Sequence, residues 1–240
     1  MEWIYFSPHY DDVAFSCGGL VWEQANAGDQ VSIQTVCAGS PPVGGLSSFA
    51  HGLHKRWKSS QKERVSRRAE DKRSCTRLRA GSRYFSIPDC IYRRDRQAVQ
   101  FMYTSEAALN GPLHPGDHQT VEELRQEITP FIQVDMNLVC PLALGNHIDH
   151  QLTRLALEAL DHPLWYYADY PYVEHHRGQV ETMEQAGWVS QIFPISSNGL
   201  TAWQDSIAAH RSQISTFWSS EAEMRQAIEA YLRWDNGIRL

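Results

Sequence analysis

The chain has 240 residues, enough for one sizeable core and too few for two comfortable domains. Hydrophobic residues make up 42% and charged residues 21%, the proportions of an ordinary soluble globular protein. With 22 Lys and Arg against 28 Asp and Glu the net charge is −6, which argues against nucleic acid or an anionic membrane surface as the main partner.

Targeting and redox signals are also weak. No stretch approaches the roughly 20 apolar residues of a membrane span, and the segment MEWIYFSPHYDD lacks the basic and apolar regions of a signal peptide. The five cysteines are odd in number, scattered and without a C-x-x-C pair. This pattern argues against a disulfide framework and predicts a cytoplasmic protein. The sequence leaves the oligomeric state open, a homo-oligomer included.

Strands and helices alternate along the chain. Short apolar runs rich in β-branched and aromatic residues predict strands, and apolar residues at helical spacing predict helices. In chain order the predictions are a strand over 3–6, a helix over 18–27, a strand over 31–36, a polar loop over 39–62, a helix over 63–79, a strand over 84–87, a helix over 120–131, a strand over 137–144, a helix over 149–160, strands over 164–167 and 191–195, and helical stretches over 199–217 and 221–234. Residues 89–116 are rich in turn signals and are left unassigned.

This alternation, with several continuously apolar strands, indicates a parallel sheet covered on both faces. We therefore predict one α/β domain over residues 1–240, a three-layer Rossmann-like domain with a mostly parallel sheet. Ligands of such folds bind outside the carboxyl ends of the strands. That rule selects the loops over 7–17 and 145–150 as the places to look for chemistry.

The loop after the first predicted strand reads SPHYDD and places a histidine beside two carboxylates. Imidazole nitrogen and carboxylate oxygen are donors that zinc accepts. A lone H-x-x-D is more often a polar loop residue followed by a helix cap, because short motifs match by chance.

The loop over 145–150 reads GNHIDH and again follows an apolar strand. Taken alone it is explained by a solvated helix start with an aspartate near the cap. The two loops together are more specific, since a parallel sheet brings both to one rim. Three protein ligands with one open position are the pattern of a catalytic zinc site, so the sequence predicts a metal centre here.

The same residues carry a family resemblance. The segment YFSPHYDDVAFSCGGL resembles the P-H-x-D-D signature of the LmbE-like, or PIG-L, family of zinc-dependent N-deacetylases, and PLALGNHIDHQLTRLALEAL resembles its H-x-D-H signature. Similarity in SRRAEDKRSCTRLRAG, SIPDCIYRR and WYYADYPYV extends the resemblance over residues 3–173. Tyr10 and Val13 stand where relatives often have proline and glutamate, and neither position carries a ligand or base role.

The resemblance implies a zinc-dependent hydrolase that removes an acetyl group from the amide nitrogen of an N-acetylated amino sugar or small glycoside. It implies that His9, Asp12 and His150 bind the Zn2+ ion. It also implies that Asp11 is the general base for the metal-activated water. Zinc lowers the pKa of bound water to roughly 7, and a nearby carboxylate can then accept the proton of that water.

Two more catalytic residues follow from the resemblance. It implies that His147 stabilises the oxyanion and that Asp149 orients and charges its ring. A neighbouring carboxylate favours an imidazolium, and positive charge beside the carbonyl oxygen would stabilise the transition state.

Substrate contacts are harder to assign. The candidates are Tyr10, Arg67, Asp169 and Tyr170. Packing against the rim explains Tyr10 about as well. Packing is the commoner role of a tyrosine such as Tyr170 at a strand end, and ion pairs on a solvated helix face explain Arg67 slightly better than substrate binding does. Weaker candidates of the same kind are His51, His54, Glu70, Asp71, Arg93, Arg94, Asp117 and Tyr172.

Three other functions compete with deacetylation. A metal- and sugar-binding module without turnover is the main alternative, although every catalytic position is retained. A nucleotide-binding Rossmann protein is disfavoured because no G-x-G-x-x-G follows the first strand. A phosphoesterase would usually have two metals and more carboxylates. Which amide is cut should be decided by residues 39–62 and 89–116.

Overall fold

A five-stranded parallel sheet forms the centre of the computed structural model, which describes residues 1–40, 45–56, 61–95, 97 and 99–240, with only the backbone described at 56 and 61–66. The order of the strands across the sheet is β3-β2-β1-β4-β5. The strands are β1 (Glu2–Ser7), β2 (Gln30–Thr35), β3 (Gly81–Tyr84), β4 (Met136–Pro141) and β5 (Leu164–Tyr167). Every neighbouring pair is parallel, which confirms the predicted α/β fold.

Helices cover both faces of this sheet. They are α1 (Asp12–Asn26), α2 (Ser48–Arg56), α3 (Gln61–Arg77), α4 (Glu106–Leu109), α5 (His118–Ile128), α6 (Ile148–Glu158), α7 (Val173–Gln185), α8 (Ser197–Ala209), α9 (Arg211–Phe217) and α10 (Glu221–Asp235). Two short strands, β6 (Ile192–Phe193) and β7 (Ile238–Arg239), form a separate antiparallel pair. None of the described helices is long and apolar enough to cross a bilayer.

The alternation of side chains along β1 divides the core in two. Trp3 and Tyr5 point to one face, where they join a cluster with residues of α1, α8 and α10. Ile4 and Phe6 point to the other face, where they join residues of α5 and α6. Both clusters are fully buried, so the strands are covered on both sides as their continuous apolar runs predict.

Several boundaries differ from the predictions. The first helix begins at Asp12 rather than at 18, but its backbone is non-helical at Cys17, directly before the two glycines predicted to open it. β3 covers 81–84 rather than 84–87, since residues 81–84 are the ones that pair with β2. The strand near 192 does not join the main sheet, and the predicted helix over 199–217 is broken at His210. The helix α7 was not predicted.

The predicted loop over 39–62 contains a helix, α2, whose apolar residues pack on residues 90–92. Residues 41–44 and 57–60 of this predicted loop lie outside the described part of the chain.

Candidate functional site

The two loops selected from the sequence meet at one edge of the sheet. β1 and β4 are parallel neighbours, with Tyr5 paired to Val139, so the segments that follow them leave the sheet on the same side. The first segment enters α1 at Asp12 and the second enters α6 at Ile148. The topology therefore brings both motifs together, as expected.

Hydrogen bonds fix the first loop around His9. The Ser7 hydroxyl donates to the His9 carbonyl oxygen at 2.5 Å and accepts from the Val13 N–H at 3.2 Å. The His9 N–H donates to Asp12 Oδ2 at 2.6 Å. Asp12 lies in the first turn of α1, where the helix dipole favours a carboxylate. Local backbone structure thus holds a histidine and a carboxylate side by side.

Asp12 lies between the two histidines predicted to share a metal with it. Its Oδ2 is 3.2 Å from His9 Nδ1 and its Oδ1 is 3.4 Å from His150 Nε2. Burial raises the pKa of Asp12, but the two histidines outweigh this effect and hold the pKa well below its usual value. Burial lowers the pKa of His150, whereas Asp12 and Asp169 raise it, to about 10. Without a cation these groups compensate one another's charge.

A related set of donors adds a third histidine. Ligand atoms of His9, His147 and His150 all lie within 4.8 Å of one another. Two overlapping groups that meet the same limit are Cys90–His147–Asp149 and His9–Asp89–Asp149. Imidazole and carboxylate groups converging in this way suit zinc and similar divalent ions. The residues present therefore fit the metal that the motifs predict.

Asp169 is buried behind the ring of His150. Its Oδ1 is 2.6 Å from His150 Nδ1, and its Oδ2 accepts the Leu144 N–H at 2.9 Å. The residue is 1% exposed. The predicted substrate contact is therefore corrected: both oxygens are engaged inside the protein, where they fix the ring of His150 and leave its Nε2 available.

The carboxylate of Asp149 contacts His9 and not His147. Its Oδ2 lies 2.9 Å from His9 Nε2 and accepts the Cys90 N–H at 3.1 Å, while Arg93 Nη1 donates to Oδ1. Burial raises the pKa of Asp149, but Arg93 and His9 hold it well below its usual value. The expectation that this carboxylate orients His147 is not met by its contacts.

The surroundings of His147 favour a neutral ring. It caps α6, and its Nδ1 accepts the Asp149 N–H at 3.3 Å. Burial lowers the pKa of His147 to about 3, and the positive charges of His9 and His150 act in the same direction. The lowered pKa favours a neutral ring over the expected imidazolium. Because Nδ1 accepts a hydrogen bond, its proton is on Nε2.

Asp11 is beside the metal-binding candidates without joining them. It stands at the N-cap of α1, yet its side chain makes no capping hydrogen bond. Arg67 Nη2 lies 3.3 Å from Asp11 Oδ1. Burial raises the pKa of Asp11, Arg67 lowers it, and the net shift is upward. A carboxylate that is 7% exposed, with a raised pKa, suits a group that takes up a proton.

The remaining substrate candidates divide. Tyr10 is half-buried, donates to the Ala38 carbonyl oxygen at 3.2 Å and lies beneath the Arg67 guanidinium, 5.6 Å from the ring centroid. Tyr10 and Arg67 thus form one wall next to Asp11. Tyr170 is 3% exposed and stacks on Trp218, with the ring centroids 6.3 Å apart. The predicted substrate contact of Tyr170 is corrected to core packing.

Most of the weaker candidates have structural partners. Glu70 accepts from the Ser212 hydroxyl at 2.7 Å, and Asp71 accepts from the Tyr84 hydroxyl at 2.6 Å. Burial raises the pKa of Asp71 to about 7. The other partners are Asp117 for Arg93, the Phe101 ring for Arg94 and the Tyr92 hydroxyl for His54, while His51 is exposed.

Two site residues were missed in the sequence. Asp89 Oδ2 is 3.8 Å from His9 Nε2, and Cys90 is a buried donor next to Asp149. Both follow β3 at the same edge of the sheet as the motif loops. The rule that ligands bind after strand ends applies here too, but residues 89–116 had been left unassigned.

Comparisons with known proteins identify the family of this chain. The model of the PIG-L family, described as GlcNAc-PI de-N-acetylase, matches residues 4–160. A curated 2'-N-acetylparomamine deacetylase from Niallia circulans is 26% identical over 246 residues, which cover 92% of this chain and 84% of that protein.

Solved structures show the same fold. A teicoplanin deacetylase in a zinc-inhibited form superposes with a TM-score of 0.79 at 22% identity, covering 100% of this chain and 96% of that chain. A deacetylase–teicoplanin complex gives a TM-score of 0.72 at 23% identity, covering 89% and 88% of the two chains. The match extends beyond the two motifs to the C-terminal helices.

Proposed function

This chain belongs to the PIG-L family of de-N-acetylases, and from that premise we propose that it removes the acetyl group from an N-acetylated amino sugar or small glycoside with the help of a bound zinc ion. The observation that carries the proposal is Asp11, a buried carboxylate with a raised pKa beside Asp12 and Arg67. A metal-binding cluster alone fits many functions, whereas an adjacent carboxylate that is not one of the proposed metal ligands suits hydrolysis.

His9, Asp12 and His150 are the residues that would hold the zinc ion. Asp12 already lies 3.2 Å and 3.4 Å from the facing nitrogens of the two histidines. A carboxylate behind one histidine supports this assignment, since metal-binding histidines commonly donate their second N–H to such a group. Zinc bound there would supply Lewis acidity and promote ionisation of water.

Asp11 moves the protons of the reaction. It accepts a proton as the oxygen of water attacks the carbonyl carbon of the amide, and it returns that proton to the nitrogen as the C–N bond breaks. The products are acetate and a free amine. The Arg67 guanidinium, 3.3 Å away, keeps the carboxylate ionised enough to accept the first proton, against the effect of burial.

His147 acts as a neutral hydrogen-bond donor in this proposal. Its Nδ1 is engaged by the Asp149 N–H, so its Nε2–H is free to donate to the carbonyl oxygen as negative charge develops there. This role needs no imidazolium. Asp149, paired with Arg93 and His9, stabilises the positions of both loops.

The relatives, together with Tyr10 and Arg67 beside Asp11, support the substrate class. The curated relative is a deacetylase of a paromamine derivative, and the solved structures include a complex with teicoplanin. Tyr10 and Arg67 offer an aromatic face and a cation beside Asp11, which suit a hydroxyl-rich sugar ring. We also propose a cytoplasmic location, because all five cysteines are buried free thiols.

Acetate release tests the proposal. Purified protein loaded with zinc is offered a panel of N-acetylglucosaminides and N-acetylated aminoglycosides, in parallel with Asp11→Asn. We expect the variant to bind zinc stoichiometrically and to lose at least about 100-fold in kcat, the usual contribution of a general base. Asp205→Asn, whose carboxylate in α8 pairs with Arg225, is the matched control and should behave as the unmodified protein does.

Two outcomes would contradict the proposal. Acetate release by Asp11→Asn at the unmodified rate would remove Asp11 as the base. Tight zinc binding without acetate release from any member of the panel would favour a metal- and sugar-binding module. Chelation of the metal should abolish activity, and added zinc should restore it.

A further inference from the structure

The ring of Tyr172 is held at the edge of the candidate site by two neighbouring residues. Its ring lies edge-on to His150, with the ring centroids 5.7 Å apart and an interplanar angle of 80°. On another side it touches Gly145, where an added methyl group would lie 2.4 Å from Tyr172 Cδ1 and 2.9 Å from Cγ. The φ of Gly145 is +78°, a conformation that glycine adopts without strain. The first residue of the GNHIDH motif thus makes room for this ring.

The ring of Tyr172 packs against the proposed metal ligand His150, so this phenol lies beside the chemistry of the site. Burial raises the pKa of this phenol, and the carboxylates of Asp12, Asp169 and Asp11 raise it further. Those carboxylates belong to the proposed metal ligand, the support of His150 and the proposed base. A tyrosine hydroxyl is protonated at neutral pH even without such a shift, and it can donate a hydrogen bond.

This hydroxyl also differs from others near the site. Tyr10 donates to the Ala38 carbonyl oxygen, Tyr167 to the Phe6 carbonyl oxygen and Tyr103 to Asp117. Within the described part of the chain, no group forms a hydrogen bond with the Tyr172 hydroxyl. A fixed ring with an uncommitted donor is suited to a bound ligand, because no internal bond must be broken first.

We propose that Tyr172 is a catalytic residue whose hydroxyl donates a hydrogen bond to the carbonyl oxygen of the scissile amide. The inference rests on the proposed function. The bond strengthens as negative charge develops on that oxygen, and the proton remains on the phenol throughout. Tyr172 would thus act on the oxyanion together with His147. Its ring, held by Gly145 and His150, pays little ordering cost when substrate binds.

Tyr172→Phe tests the role of the hydroxyl alone, since the ring and its packing are kept. We expect kcat to fall by about 100- to 1,000-fold, the range seen when one oxyanion donor is removed. KM, zinc content and the midpoint of thermal unfolding should stay close to those of the unmodified protein. Tyr166→Phe is the matched control, since its hydroxyl contacts Glu158 at 3.2 Å. Its kcat should not change.

Gly145→Ala supplies an independent second variant. The added methyl group must displace the Tyr172 ring, so kcat should fall while Tyr172 is present. In the double variant with Tyr172→Phe, the substitution at Gly145 should cost much less than it does alone, because both changes remove the same interaction.

The possible results separate this inference from the proposed function. If the unmodified protein releases acetate and Tyr172→Phe keeps kcat within twofold, the role of Tyr172 is wrong and the deacetylase assignment stands. A parallel loss of zinc or of thermal stability in Tyr172→Phe would likewise overturn the inference, by showing a structural role. If the unmodified protein releases no acetate, both proposals fail.

Discussion

At the scale of single residues, Asp169 orients the proposed metal ligand His150. Its Oδ1 is 2.6 Å from His150 Nδ1, and its Oδ2 accepts the Leu144 N–H at 2.9 Å. We predict that Asp169→Asn keeps all three proposed ligands and lowers zinc affinity by about 10- to 100-fold, the usual effect of losing such a partner. Competition with a chromophoric chelator measures the affinity.

The control for this experiment is Asp205→Asn, whose carboxylate pairs with Arg225 at 2.7 Å on the surface. It should leave the zinc affinity unchanged. An Asp169→Asn protein with the affinity of the unmodified chain would show that Asp169 does not support a metal ligand.

Asp117 gives a second residue-scale prediction, on stability. It is fully buried and accepts from Arg93 Nε at 3.0 Å and from the Tyr103 hydroxyl at 2.7 Å. Asp117→Asn removes one of two negative charges around a buried guanidinium, so we expect the free energy of unfolding to fall by about 3–5 kcal/mol. Urea unfolding measures it. Glu122→Gln, in an exposed ion pair, should leave the urea midpoint unchanged.

A site residue was predictable from the sequence where its place depends on neighbouring residues in the chain, and not where its side chain is oriented by a distant residue. His9, Asp12 and His150 stand at strand-to-helix junctions, so the order of elements alone places them at one rim. Asp169 and Tyr170 stand at a similar junction, but their directions are set by His150 and Trp218. Contacts between residues this far apart along the chain leave no pattern in a single sequence.

At the scale of elements, Gly18 governs the packing of α1 against α8. A methyl group at Gly18 would lie 2.7 Å from Trp203 Cδ1. Trp203 cannot easily move, since it is fully buried and donates its indole N–H to the Ala14 carbonyl oxygen at 2.7 Å. We predict that Gly18→Ala lowers the free energy of unfolding by about 1–3 kcal/mol, the cost of overpacking, as measured in urea.

Gly178→Ala in α7 is the matched control, because no atom lies within 4 Å of the added methyl group. It should leave stability unchanged or raise it by up to about 1 kcal/mol through helix propensity. Equal effects of the two substitutions would show that the contact with Trp203 is unimportant.

The same glycine explains why the part of α1 before the non-helical Cys17 was not predicted. Adjacent glycines normally weaken a helix, so Gly18 and Gly19 predicted its boundary. In the structure they allow close approach of α8, a requirement that only the tertiary packing reveals. The helix α2 was missed for a similar reason. Its polar sequence forms a helix where Ala50 and Leu53 find an apolar surface on residues 90–92.

At the scale of the whole molecule, the C-terminal helices complete the core that β1 and α1 begin. Trp203, Ile207 and Met224 share one buried cluster with Tyr5 and Val13. This shared core supports the prediction of one domain, although the family match ends at residue 160. The helical character of the tail was predictable from its periodicity, whereas its place against α1 was not.

His210, where α8 meets α9, makes the stability of the whole chain sensitive to acid. It is 1% exposed, and burial together with Arg67 lowers its pKa from 6.5 to about 3. The unfolded chain therefore binds more protons between these two values. The stabilising contribution of neutral His210 is complete above pH 6.5 and is lost as the pH falls towards 3.

We predict that His210→Gln weakens this dependence in metal-free protein. Between pH 7.5 and pH 5 the His210 contribution amounts to about 2 kcal/mol, or 1.5 units at about 1.4 kcal/mol each. The variant should therefore lose about 2 kcal/mol less on acidification, whatever its stability at pH 7.5. Asp71, whose raised pKa acts in the opposite direction, is common to both proteins and cancels in the comparison. Urea unfolding at the two pH values, with chelator present, measures the difference, and equal losses in the two proteins would show that His210 can ionise without opening the core.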